Sequence, residues 1–150
     1  MTGIDTNILL AALVSGHSHH EPARKWIKEI SDRSDVVISE FVLVEVFTLL
    51  MNRVVMSKPL DSAGAAAVCQ NFRTHPYWRC LGFPPESEKL HSDLWEKAAG
   101  KGMSRRRIYD LRLGLCLSRF GVRDFATVNI KDFNGLGFER VWNPLGGSQP

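Results

Sequence analysis

The positions in this chain that could do chemistry are a scatter of carboxylates and one amide. Asp5 precedes Ile8-Leu9-Leu10-Ala11-Ala12-Leu13, which is apolar on every side. Glu45 stands within Phe41 to Met51, a segment otherwise apolar except for Thr48. Asp110 follows the run Arg105-Arg106-Arg107, and Asn129 and Asp132 come just after Phe125-Ala126-Thr127-Val128. Together these offer oxygen ligands only, the set that hard cations such as Mg²⁺ or Mn²⁺ take. Carboxylates held close together repel one another, and a divalent cation relieves that repulsion. Taken singly, each has a plainer explanation. A carboxylate in so apolar a helix as that of Glu45 must be paired, protonated or metal-bound, and a buried ion pair would satisfy it. Asp110, early in a helix, would favour the positive end of the helix dipole, as would Glu40.

The elements that must position these groups alternate between strand and helix. A short apolar strand ends at Asp5, Thr6 and Asn7 supply capping oxygens, and a buried helix follows. Asp5 is thereby placed at the carboxyl end of a strand, where open α/β sheets bind ligands. His17, His19 and His20 fall in a polar loop and read as solvated, since metal ligation needs a closed geometry and supporting partners. Residues 21–31 form a helix with Pro22 near its start and Ala23, Trp26, Ile27 and Ile30 along one face. Val36-Val37-Ile38 is a buried strand, and Ser39 caps a helix predicted to reach Val54 or Val55. Ser57-Lys58-Pro59 breaks the chain before a helix from Asp61 to Phe72 or Arg73. A strand is expected over 78–83, then an amphipathic helix over 86–99 with Leu90, Leu94, Trp95 and Ala98 inward and His91 and Asp93 facing solvent. Gly100 and Gly102 end it, and Gly121 stops the helix that Asp110 opens. Residues 125–128 form a strand, residues 138–142 an edge strand, and 146–150 a frayed tail. The order is β-α-α-β-α-α-β-α-α-β, an α/β fold on a mainly parallel sheet. Asp5 and Asn129 belong to its open end, and Glu45 and Asp110 ride on helices that can lean over it.

Composition bounds the rest. A chain of 150 residues, 44% hydrophobic and 23% charged, suits one soluble domain with a proper core. No apolar run approaches a membrane span and no signal peptide precedes Asp5, so a cytoplasmic protein is expected. Cys69, Cys80 and Cys116 are scattered and lack metal spacing, reading as reduced thiols. The net charge of +3 is too small to imply nucleic acid by itself. The arginine run beside Asp110 is more telling, although a solvated loop accounts for it equally well.

Order and spacing resemble a PIN-domain ribonuclease, most of all the toxins of VapBC toxin–antitoxin modules. The pieces that match are Ile4 to Leu10, Ile38-Ser39 followed by Glu45 in an apolar helix, and Asp110 opening the late helix. To these add Thr127 to Phe133 and the closing Gly137 to Leu145. The resemblance implies a PIN-like three-layer α/β/α fold over residues 1–145, with 146–150 as a C-terminal tail. It places Asp5, Glu45 and Asp110 in the family's acidic triad as metal ligands, with Asn129 in the fourth catalytic position. Asp132, three residues further on, reads either as a structural turn acid or as a support behind the ligands. Tyr109 and Arg112 stand where relatives often carry His, and Asn129 brings one charge fewer than Asp.

The resemblance also implies Mg²⁺- or Mn²⁺-dependent endonucleolytic cleavage of RNA, a cognate antitoxin that blocks the site, and a homodimer. A metal held by Asp5 and Asp110 would lower the pKa of a bound water, with Glu45 completing the set. Thr6, Arg105, Arg106, Arg107, Arg112 and Lys131 are the candidates for holding the RNA, arginine being suited to phosphate. An apolar surplus over Phe47 to Met56, with the Trp26 helix as the other wall, is the expected groove for an antitoxin helix. The rival from another class is a catalytically inactive PIN-like module that binds RNA or protein. A flavodoxin-like phosphoacceptor fits worse, because no phosphoacceptor Asp ends a middle strand.

Overall fold

A computed structural model describes residues 1–100 and 103–146. Gly102 as a helix stop, and most of the expected tail, lie outside the described residues. The strands are β1 (Thr2–Ile4), β2 (Val36–Ser39), β3 (Arg79–Leu81), β4 (Asp124–Ala126) and β5 (Arg140–Trp142). Between them run α1 (Thr6–Leu13), α2 (His20–Glu29), α3 (Glu40–Leu50), α4 (Ser62–Arg73), α5 (Ser87–Ala98), α6 (Arg107–Arg119) and α7 (Ile130–Phe133). The strands form one sheet in the order β3-β2-β1-β4-β5, and every pairing is parallel. Right-handed crossovers send α1 to α4 to one face and α5 to α7 to the other. The helix contacts agree, since α1 meets α2 and α3, while α6 meets α5 and α7. This is the expected three-layer α/β/α arrangement.

β1 and β2 are buried along their whole length, as short apolar runs covered on both faces should be. The main core gathers Ile4, Ile8, Leu9, Val37, Ile38, Val42, Val46, Leu117, Phe125 and Phe133. A smaller cluster, Leu90, Leu94, Leu111, Leu115 and Cys116, joins α5 to α6. Among the described residues no helix is long and apolar enough to cross a membrane.

Several expectations are corrected. α3 ends at Leu50 instead of reaching Val54, because Asn52 turns the chain. Its side-chain oxygen accepts from the Val54 amide at 2.8 Å, and its carbonyl accepts from Val55 and Met56. Val54 is consequently 93% exposed. Trp95 is 63% exposed, for the inward stripe of α5 runs through Leu90 and Leu94 and leaves position 95 about a hundred degrees to the side. Asp93 does not simply face solvent: it pairs with Arg119 of α6. The ring of His91 turns back to the Ser87 carbonyl at 2.7 Å. β3 is shorter than expected, with Trp78 tucked beneath it and its indole N–H donating to the Ile30 carbonyl at 3.1 Å. The segment after β4 is a short helix, α7, held down by buried Phe133.

Candidate active site

β1 and β4 are neighbours in register, Ile4 beside Ala126, although the chain reaches β4 only after building the other side of the sheet. Strand order reverses between them, and the crevice beyond the carboxyl ends at such a reversal is where α/β sheets hold ligands. The residues that step off these strands are Asp5 and Thr127.

Asp5 is 6% exposed and is itself the N-cap of α1, the role the sequence assigned to Thr6 and Asn7. Its Oδ1 accepts from the Thr6 amide at 2.8 Å. Its Oδ2 accepts from the Asn7 amide group at 2.6 Å and from the Thr127 hydroxyl at 2.5 Å. Thr127 is fully buried, and its oxygen accepts in turn from Asn7 Nδ2 at 3.1 Å and from the Asn129 amide at 3.0 Å. Those two donors occupy the hydroxyl's lone pairs, so its proton is committed to Asp5. Asn7 Oδ1 accepts from the Val128 amide at 3.2 Å, which fixes the amide group's orientation. Sequence reading passed over Asn7 and Thr127 as site residues. The signal was available, because parallel pairing of the first and fourth strands puts the residue after Ala126 beside the residue after Ile4.

Burial is the dominant influence on Asp5 and pushes its carboxyl up to about 7 from an ordinary 3.8. The Thr127 and Thr6 hydrogen bonds work against burial, and the charges of Glu45 and Asp110 add to it. Asp110 lies half-buried in the first turn of α6. Its carboxyl rises to about 6, through burial first, then through Asp132 and Glu45, with Arg107 opposing. Asp5, Glu45, Asp110 and Asp132 therefore share one electrostatic neighbourhood. Asp132 presses on Asp110 more than Glu45 does.

Glu45 is exposed, and the sequence argument that it must be a buried charge is corrected. What holds it is Thr6, whose hydroxyl donates to Glu45 Oε2 at 2.6 Å. Thr6 is thus a strut between two acids, its amide on Asp5 and its hydroxyl on Glu45, and is not free to hold a substrate. Asn129 is exposed at the start of α7 and its side chain makes no capping bond. Among the described residues, no three carboxylates, histidines or cysteines are close enough to grip one ion together.

Of the cationic candidates, Arg105, Arg106, Arg107 and Lys131 are all exposed. Arg106 and Arg107 begin α6 itself, one turn before Asp110. Arg112 is different: its guanidinium lies 4.2 Å from the centre of the Phe41 ring and 5.8 Å from that of Tyr109. This contact ties α6 to α3 one turn from Glu45. Burial pushes the Cys80 and Cys116 thiols up to about 11 and the Cys69 thiol upward as well, away from the reactive thiolate.

A groove of about 360 Å³ opens between α3 and α4, lined by residues including Leu43, Val44, Phe47, Cys69 and Arg73. The apolar surplus of α3 thus exists, but its opposite wall is α4. Trp26 is buried and packs edge-on against Trp142.

Comparison with known proteins agrees with this arrangement. The family model described as PIN domain matches residues 4–111. Ribonuclease VapC24 of Mycobacterium tuberculosis, in strains CDC 1551 and H37Rv, is 41% identical over 145 residues, 97% of each chain. Among solved structures, Mycobacterium tuberculosis VapC20, a toxin that cleaves the sarcin–ricin loop, superposes with a TM-score of 0.67 at 20% identity. That match covers 92% of this chain and 96% of VapC20. FitAcB from Neisseria gonorrhoeae gives 0.64 at 18% identity, over 96% of this chain and 98% of that one.

Proposed function

The chain belongs to the PIN-domain family, and from that membership we propose that it is a metal-dependent endoribonuclease acting as the toxin of a toxin–antitoxin pair. The observation that carries the reading is Asp5. A carboxylate buried at the strand-order reversal, with Glu45, Asp110 and Asp132 acting on the same space, is costly unless something positive is bound there.

Asp5 and Asp110 are the residues proposed to hold Mg²⁺ or Mn²⁺, with Glu45 and Asp132 beside them. The donor set fits a hard cation: it is all oxygen, and burial, with the neighbouring acids adding to it, pushes two of its carboxyls upward. When bound, such a cation would supply charge against the phosphate and a more acidic water. The chain's own work is positioning. Asn7 and Thr127 present Asp5 in one orientation, and Thr6 holds one oxygen of Glu45 while leaving the other able to take a proton. Arg105, Arg106, Arg107 and Lys131 give the crevice a cationic margin for the RNA backbone. A homodimer and an antitoxin helix seated in the α3–α4 groove complete the proposal.

Incubation of the protein with RNA under Mg²⁺, Mn²⁺ and EDTA tests it. Cutting that requires a divalent metal and disappears in Asp5→Asn supports the reading, and metal-independent cutting ends it. A module that binds without cutting is the second reading. It has one observation in its favour, that no three ligands are already gathered around one point among the described residues. Binding of RNA with no cleavage under either metal would establish it instead.

A further inference from the structure

Beside the acids runs a line of rings that packing alone does not require. Phe83 crosses Phe41 edge to face, with centres 5.1 Å apart, and the guanidinium of Arg112 covers another side of Phe41. Tyr109 comes next along this line, adjacent to Asp110 in sequence. Phe41 is half-buried, but Phe83 is 63% and Tyr109 64% exposed, and both lie outside either core cluster. Arg112 buries its Nε with no hydrogen-bond partner, and no ion pair engages it among the described residues. An exposed basic run, Arg105 to Arg107, shortly precedes Tyr109.

We propose that Phe83, Tyr109 and the Arg112–Phe41 stack form a platform on which unpaired bases of the RNA lie while the backbone passes the acids. This deepens the ribonuclease reading and rests on it. Flat rings next to exposed cations match a polyanion that carries π faces, whereas an apolar partner helix would leave Arg105 and Arg106 facing nothing. Ring faces can be reached only where bases are not stacked within a duplex, so the platform takes unpaired bases.

The test is binding of a labelled single-stranded oligoribonucleotide of about ten residues, followed by fluorescence anisotropy, in an Asp110→Asn background that prevents cutting. Phe83→Ala and Tyr109→Ala should each weaken binding by about 5- to 150-fold, the usual worth of one stacked base. Tyr109→Phe, which keeps the ring, should bind like its parent, and affinity for a duplex of equal length should not respond to either alanine. Both substituted side chains are largely exposed, and circular dichroism checks that the fold is kept. Cleavage is assayed in parallel with Asp110 restored. Single-stranded binding that ignores both alanines overturns the platform even if metal-dependent cleavage persists. Ring-dependent binding without any cleavage upholds the platform and overturns the nuclease.

Discussion

Replacing Asp5 by Asn sets two opposed effects against each other, and pH decides between them. The wild-type carboxyl titrates near 7 in the folded chain against 3.8 ordinarily. A carboxyl raised in this way binds more protons folded than unfolded between those values. Its contribution to stability is complete below 3.8 and is lost as pH rises through 7. At about 1.4 kcal/mol per pH unit, the loss between pH 5 and pH 8 comes to about 3 kcal/mol. Asn does not titrate, so the variant escapes this loss. It has its own cost, because Asp5 accepts from Thr6, Asn7 and Thr127 with two oxygens, and Asn has only one. One donor is left facing an NH₂ group, at about 1–3 kcal/mol, a cost that wild type shares at low pH, where its protonated carboxyl also turns an O–H toward the same donors. Urea unfolding in EDTA should therefore find the stability of Asp5→Asn relative to wild type rising by about 3 kcal/mol between pH 5 and pH 8. Groups remote from Asp5 cancel in the difference, and Asp110, which is coupled to Asp5 and rises to about 6, adds to the change in the same sense. A gap that stays constant from pH 5 to pH 8 would show that Asp5 is not the strained charge described, and the case for a cation would lose its foundation.

The same assays reach other parts of the site. Thr127→Val removes the hydroxyl that donates to Asp5 and accepts from Asn7 and Asn129. It should cost about 1–3 kcal/mol in urea unfolding and move the pH-dependent loss of stability upward. Saturating Mg²⁺ or Mn²⁺ should stabilise wild type by about 3 kcal/mol at a hundred times Kd, seen as a higher melting temperature, and should stabilise Asp110→Asn far less. Equal gains would remove Asp110 from the ligand set. Gly114→Ala should destabilise by about 1–3 kcal/mol, since its Cβ would stand 2.6 Å from Leu136 Cδ1 and 3.0 Å from Leu136 Cβ. Chemical denaturation is the measurement, and a neutral result would mean the segment after α7 yields freely.

Sequence patterns carried the architecture because strands buried on both faces read as short apolar runs. Val36 to Ile38 is such a run, and Ser39 capped α3 as its type suggested, accepting from the Phe41 amide at 3.2 Å. Where the pattern misled, a local side-chain bond or a rotation about a helix axis was responsible. Asn52 ended α3 with an oxygen that apolar periodicity does not register, and Trp95 fell off the stripe although its neighbour Leu94 lies on it. The site was legible as a list of acids and illegible as a mechanism of holding them. Thr6, Asn7 and Thr127 carry no charge and mark no motif. Their roles exist only once β1 and β4, remote in sequence, lie side by side.

Asp110 is held differently from Asp5. Asp5 steps off a central strand into the main core, whereas Asp110 opens a helix buried through Leu111, Leu113, Gly114, Leu115, Cys116 and Leu117. Leu111 and Leu115 face the small cluster with α5, and Leu113 and Leu117 face the main core. A helix gripped from two sides cannot roll without breaking one contact surface, so its first turn is aimed by packing alone. That matters because, among the described residues, Asp110 has no hydrogen-bonding strut comparable to Thr127. The Arg112–Phe41 contact adds about 0.5–2 kcal/mol of attraction between α6 and α3. It acts one turn from Glu45 and two residues from Asp110, at the place where those two acids must be kept facing each other despite their repulsion. The price of gathering like charges is thus met by uncharged struts at Asp5 and Glu45, and at Asp110 by the burial of an entire helix.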